Sequence, residues 1–215
     1  MRVFLKIALV GALLLSACFC GRVNRTGAQR GVLDLREANL SVPIRLDGEW
    51  EFYWNHLYDP EKIPGPSPDF LKLPGAWNGA RSGSETIGGD GFATLRLRLL
   101  TPAGAGPLML KIPHQGTAYE MYADGHLIAK SGKVGTSRDS MTPLYVPRVS
   151  DSFSGEGSVD LVLRISNFHH RLGGPWGPIF IGKPDAIRWM DKKSTAMDLF
   201  LFGSLFIMAL YHIGL

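Results

Sequence analysis

Ile44-Arg45-Leu46-Asp47-Gly48-Glu49-Trp50-Glu51-Phe52-Tyr53-Trp54 is the stretch that decides the fold. Ile44, Leu46, Gly48, Trp50, Phe52 and Trp54 share one parity, and Arg45, Asp47, Glu49, Glu51 and Tyr53 share the other. Successive side chains of an extended chain point to opposite faces, so this alternation marks a strand with one face in a core. Trp50 and Trp54 read as core, and Asp47-Gly48 as a place where the strand bends or bulges. The pattern recurs outward from there. Ala93, Leu95, Leu97 and Leu99 alternate with Thr94, Arg96 and Arg98, and Leu108, Leu110 and Ile112 give a third strand. Val159, Leu161, Leu163 and Ile165 alternate with Asp160, Arg164 and Ser166, interrupted by Val162. Tyr119 to Ile128 reads as a hairpin turning at Asp124-Gly125, and a last strand lies near Ile179 to Ile181. Residues 55–90 are rich in loop signals, with Pro60, Pro64, Pro66, Pro68, Pro74 and Gly88-Gly89-Asp90-Gly91. No helical period of useful length precedes residue 185. The expected fold is all-β, a β-sandwich or jelly roll.

Composition agrees with that reading and removes several functions. Apolar residues make up 45% and charged residues 20% of 215, which is globular. The 26 glycines and 14 prolines exceed the usual share of roughly 12%, as a turn-rich β domain requires. A net charge of +4 without a basic run excludes a nucleic-acid binder. Two cysteines make neither a disulfide framework nor a four-thiolate metal site. The mean hydropathy of +0.04 is high for such a domain because apolar residues gather at both ends.

At the first end, Arg2 and Lys6 precede the apolar stretch Ile7 to Leu15, too short to span a bilayer comfortably. Leu15-Ser16-Ala17-Cys18 then resembles a bacterial lipobox. It predicts a signal peptide over residues 1–17, lipidation of Cys18 and a linker over 18–30. Ordinary cleavage after Ala17 and an uncleaved anchor are the alternatives. At the second end, residues 196–215 are almost wholly apolar, reach the roughly 20 residues a spanning helix needs and show no polar face. They read as a transmembrane helix, preceded by a linker over 185–195 that is expected to form a short helix. The export signal places residues 18–195 on the periplasmic side of a bacterial cytoplasmic membrane. Arg188, Lys192 and Lys193 then lie outside, mildly against the positive-inside rule. The chain stops with no cytoplasmic flank, which reads as a piece of a longer membrane protein.

Residues 31–184 are thus the domain in which to look for chemistry. Glu49 and Glu51 share a strand face, whereas paired carboxylates of glycoside cleavage face each other across a substrate. No nucleophile elbow surrounds Ser131 or Ser137, Gly132-Lys133 lacks a phosphate loop, and Gly88-Gly89-Asp90-Gly91 opens no helix. No catalytic residue, cofactor or metal site is expected. The adjacent His169 and His170 point apart on an extended chain and have no evident third ligand. The informative segment is Asn167-Phe168-His169-His170-Arg171-Leu172-Gly173-Gly174-Pro175-Trp176-Gly177-Pro178. Asn167, His169, His170 and Arg171 offer donors, acceptors and an anion partner, and Trp176 an apolar face for a sugar ring. They are candidate ligand-binding residues, with Trp77, which follows Leu73-Pro74-Gly75-Ala76, as part of a rim. The alternative is a rigid loop closing the sandwich, with Trp176 in the core and Asn167 capping backbone groups.

Two resemblances add to this. Leu46-Asp47-Gly48-Glu49-Trp50-Glu51-Phe52, Leu73-Pro74-Gly75-Ala76-Trp77, Gly91 to Leu97 and Tyr122-Ala123-Asp124-Gly125-His126-Leu127 resemble the galactose-binding-like jelly roll of β-galactosidase-type enzymes. There the hairpin usually carries Asn-Gly, and the module is not catalytic. Glu49 to Trp54, Gly132-Lys133-Val134-Gly135, Ser166 to His170 with Gly173-Gly174, and Leu201 to His212 resemble bacterial seven-transmembrane receptors with diverse intracellular signalling modules. That resemblance implies an extracytoplasmic sensor that lacks six further helices and its output domain. It is not itself an enzyme. The partners implied are a small polar ligand such as a carbohydrate, the membrane, the missing modules and, as an option, a second copy. A non-signalling anchored lipoprotein and the sugar-binding module of a truncated glycoside hydrolase are the rival readings.

Overall fold

The computed structural model describes residues 27–63 and 68–213. The expected signal peptide, Cys18 and most of the 18–30 linker lie outside the described residues. The β domain has two main sheets. The larger is built from β1 (Val32–Asp34), β3 (Gly48–Trp54), β4 (Asp69–Leu73), β7 (Gly91–Leu100), β9 (Ala118–Ala123), β10 (His126–Ser131) and β13 (Ser158–Asn167). Its order is β10-β9-β13-β7-β3-β4, with β1 parallel to the far end of β7. The smaller sheet comprises β2 (Ile44–Arg45), β8 (Pro107–Ile112), β11 (Arg148–Val149) and β14 (Phe180–Gly182) in the order β11-β8-β14-β2, with β12 (Phe153–Ser154) also on β8. A separate ribbon pairs β5 (Arg81–Ser82) with β6 (Glu85–Thr86).

The alternating residues set the core between the two main sheets. Leu95, Leu97 and Leu99 of β7, Leu161, Leu163 and Ile165 of β13, and Leu108, Leu110 and Ile112 of β8 are all fully enclosed with Trp50. The expected all-β sandwich is the fold observed. Asp124 and Gly125 both take positive φ, 47° and 82°, which is what a two-residue turn matched to strand twist demands. Gly48 (φ 117°) lies where any Cβ would strike the backbone of Ala28, which explains the break between β2 and β3. Three details depart from simple alternation. Tyr53 is buried on the outward parity, edge-on to Tyr58 at 5.4 Å, while Trp54 at the strand end is only half-buried. Val162, on the outward parity, is enclosed on the central strand between its register neighbours Arg96 and Tyr122. The loop-rich 55–90 stretch also contains β4, an edge strand.

The expected linker and span form one element. Helix α1 (Pro184–Ile213) runs for 30 residues, roughly 45 Å at 1.5 Å per residue. Proline suits its first turn because that N–H has no intrahelical partner. Ile187 is fully buried in the β domain, and Lys111 Nζ of β8 lies 3.3 Å from Asp191 Oδ1. Beyond Asp191 the helix is almost entirely exposed, and it is long and apolar enough to cross a membrane. Its Thr195 and Ser204 hydroxyls donate to the carbonyls of Asp191 and Phe200, leaving few polar groups for an apolar surrounding to desolvate.

Candidate functional site

Strand register gathers four loops at one end of the sandwich. Asn167 pairs with Gly91, Ser166 with Ala118, and Ser131 with Tyr119. The segments 74–90, 113–117, 132–147 and 168–179 therefore meet there. Asn167 organises them. Its side-chain amide Nδ2 donates to the carbonyls of Gly89 (2.9 Å), His170 (2.6 Å) and Leu172 (3.3 Å). Its Oδ1 accepts from His170 N at 3.2 Å and Thr117 Oγ1 at 3.1 Å. Asn78 adds a second clamp, donating to Arg171 O and accepting from Gly173 N. Gln115 exchanges two hydrogen bonds with the backbone of Gly177.

The sequence candidates thus divide. Trp77 is 0% exposed, so the expectation of a rim residue is corrected. Gly173 leaves the slot its indole fills, since a Cβ there would lie 2.3 Å from Cε2, and Trp77 Nε1 donates to Gly89 O. Asn167 is also 0% exposed; it shapes the loop and offers a ligand no surface. His169, His170 and Arg171 are exposed, and Trp176 is half-buried over Gly116 rather than in the core. Trp176 belongs to a row of rings. His170 lies 4.8 Å from Trp176, Trp176 lies 6.2 Å from Tyr145, and Tyr145 lies 4.4 Å from His114. Tyr145 is 50% exposed and His114 is exposed. Sequence reasoning missed these two, which stand alone on separate loops. The local signals were a lone aromatic between Pro143 and Pro147 and a histidine directly after β8 and Pro113.

The row presents aromatic edges and faces to solvent together with the imidazoles of His114 and His170, a surface against which a ring-shaped ligand can pack. Other polar groups are engaged elsewhere. Glu51 faces Arg96 at 3.7 Å and accepts from Tyr53, and Glu49 accepts from Arg30 N. Arg96 also pairs with Asp160 at 2.6 Å, and Arg164 with Glu120 at 3.2 Å. On that outer face burial, then Glu51, pushes the Tyr53 phenol up to about 12, and burial, then Glu120, raises that of Tyr122. Ser131 donates to Leu144 O, and Ser137 and Ser140 close a turn on each other. Among the described residues no group of three His, Cys, Asp or Glu side chains is placed to hold a metal ion.

The molecule is therefore a β-sandwich domain continuous with one long apolar helix, carrying an exposed row of rings at one sandwich end. No protein-family model matches the chain, and no curated protein matches it. Solved structures do. A β-glucuronidase from an uncultured Clostridium sp. aligns over 65% of this chain and 28% of its own, at 15% identity and a TM-score of 0.51. Ruminococcus gnavus β-glucuronidase aligns over 65% and 28%, at 15% identity and a TM-score of 0.48. The GH2 β-galacturonidase of Eisenbergiella tayi bound to galacturonate aligns over 65% and 24%, at 13% and 0.44. The chain spans little more than a quarter of these enzymes at most, and the likeness to the first is one of fold: the β-sandwich.

Proposed function

We propose that this chain is the extracytoplasmic, ligand-sensing portion of a bacterial membrane receptor, and that its sandwich binds a carbohydrate along His170, Trp176, Tyr145 and His114. The observation that carries the reading is the row itself. Four rings from three loops are brought together and left open at the end of a domain whose last strand runs directly into a membrane-length helix. Stacking on such rings suits the apolar faces of sugars, and aromatic contacts contribute about 0.5–1.5 kcal/mol each. The likeness of the sandwich to that of a β-glucuronidase is compatible with a sugar ligand. The resemblance to seven-transmembrane receptors supports the signalling part, the periplasmic side and the role without catalysis. The test is a glycan array, with neutral and uronate-bearing sugars, read with the full chain in nanodiscs. Binding that falls at least about tenfold in Trp176→Ala supports the reading, and no retained glycan overturns it. Sequence beyond codon 215 tests the receptor part: six further spans and an output domain support it, and a catalytic barrel favours the module of a glycoside hydrolase.

A further inference from the structure

Three rings of the row are tied to one rung of the smaller sheet. Lys111 of β8 pairs with Val149 of β11 on one side and with Phe180 of β14 on the other. His114 follows Lys111 by three residues, Tyr145 precedes Val149 by four, and Trp176 precedes Phe180 by four. At most roughly 14 Å of extended chain separates each ring from the rung. The same rung holds the helix: Lys111, with its side chain 12% exposed, pairs with Asp191 of α1, and β14 leads through Lys183 directly into α1. Ile187, fully buried, seats the first turns beside Gly182. We propose that the smaller sheet, latched to α1 by Lys111 and Asp191, couples the ring row to the membrane helix, so that the row's arrangement and the seating of the helix base bias one another. A hydrogen-bonded three-strand rung passes a change of loop spacing onward, because packed strands shift together. When the latch opens, Asp191, 44% exposed, turns to water, while the Lys111 ammonium, its side chain 12% exposed, loses its partner, so the closed latch is the favoured state and opening it carries a cost. The coupling is reciprocal by linkage. As a regulation of carbohydrate binding it rests on the reading above.

The test is hydrogen exchange of the full chain in nanodiscs, without any glycan. Tyr145→Ala and Trp176→Ala are expected to speed exchange of residues 185–192 by at least about threefold while β7 and β13 stay unchanged. Lys111→Met is expected to speed exchange in 144–149 and 176–182 by a similar factor. Leu127→Ala, an exposed change on the β10 hairpin, is expected to leave the helix base as it was. If Trp176→Ala loosens β7 as well, the half-exposed Tyr145 decides. A helix base unmoved by Tyr145→Ala, or ring loops unmoved by Lys111→Met, overturns the coupling. An empty glycan array strikes the sugar reading and leaves this result standing, so the two failures are distinguishable.

Discussion

Replacing Asn167 by alanine tests whether this residue builds the site rather than touching a ligand. The change removes five hydrogen bonds, to Gly89, His170 twice, Leu172 and Thr117. At a net 0.5–1.5 kcal/mol apiece, with water recovering part at the exposed His170 and Leu172, the expected loss is about 3–4 kcal/mol. For a domain of this size that lowers Tm by about 10 °C. Asn167→Asp is the sharper partner variant. It keeps the shape and the Oδ1 acceptor, but sets a carboxylate oxygen where the amide donated to three carbonyls. Its cost is expected to match or exceed that of alanine, because a buried charge then faces oxygen atoms. Urea unfolding of the full chain in detergent, followed by tryptophan fluorescence, measures both, with an unchanged m-value marking a true stability change. A loss below about 1 kcal/mol for alanine, or near-native stability for aspartate, would refute the reasoning.

Trp77→Ala is expected to cost about 3–5 kcal/mol, as for an aromatic removed from a core, and Trp176→Ala under about 1.5 kcal/mol; equal costs would contradict their assignment to core and surface. Gly173→Ala is expected to destabilise by at least about 2 kcal/mol, because its methyl meets both the Trp77 ring and Gly89 O, and a silent substitution in thermal melts would count against the slot. Tyr53, Tyr119 and Tyr122 all titrate higher in the folded chain, burial being the largest cause in each. The unfolded chain therefore loses these protons first, so the contribution of Tyr53 to stability is present below about pH 10 and is lost as pH rises toward about 12. Ultraviolet titration at 295 nm is expected to show three tyrosines lagging in native protein and joining the rest in urea, with one fewer lagging in Tyr53→Phe.

Alternation made most of the fold legible. Trp50, Leu95, Leu97, Leu161 and Leu163 face inward as their parity requires, and Asp124-Gly125 turns as those residue types dictate. What alternation hides is the second layer on the outer face. Thr94 looks polar and outward, yet it is enclosed because its hydroxyl donates to His56 O and accepts from Tyr58 N. Ser166 is enclosed in the same way under the loop at Gly135. β4 escaped notice because prolines flank it and an edge strand needs only one partner.

The 167–178 segment was visible as a concentration of polar and aromatic side chains, and the structure sorts its roles. Asn167 and Trp77 turned inward because glycine carbonyls and the bare Gly173 give them partners and room. His114 and Tyr145 stand singly on separate loops, marked locally only by neighbouring prolines. They join Trp176 only through pairing of β8 with β11 and β14, between residues up to 73 positions apart. The linker expected over 185–195 was legible as helical. It reads as running into the span, and the structure makes the two one helix: Asp191, Lys192 and Lys193 interrupt the apolar run without interrupting the backbone.

The central claim is that the ring row is a carbohydrate site. It is tested most directly by titrating the best glycan from the array into the full chain in nanodiscs by calorimetry, beside Trp176→Ala and Tyr145→Ala of unaltered Tm. The account predicts saturable binding that weakens at least about tenfold in each variant. Binding of the same strength in both variants, or no heat with any glycan, would contradict it.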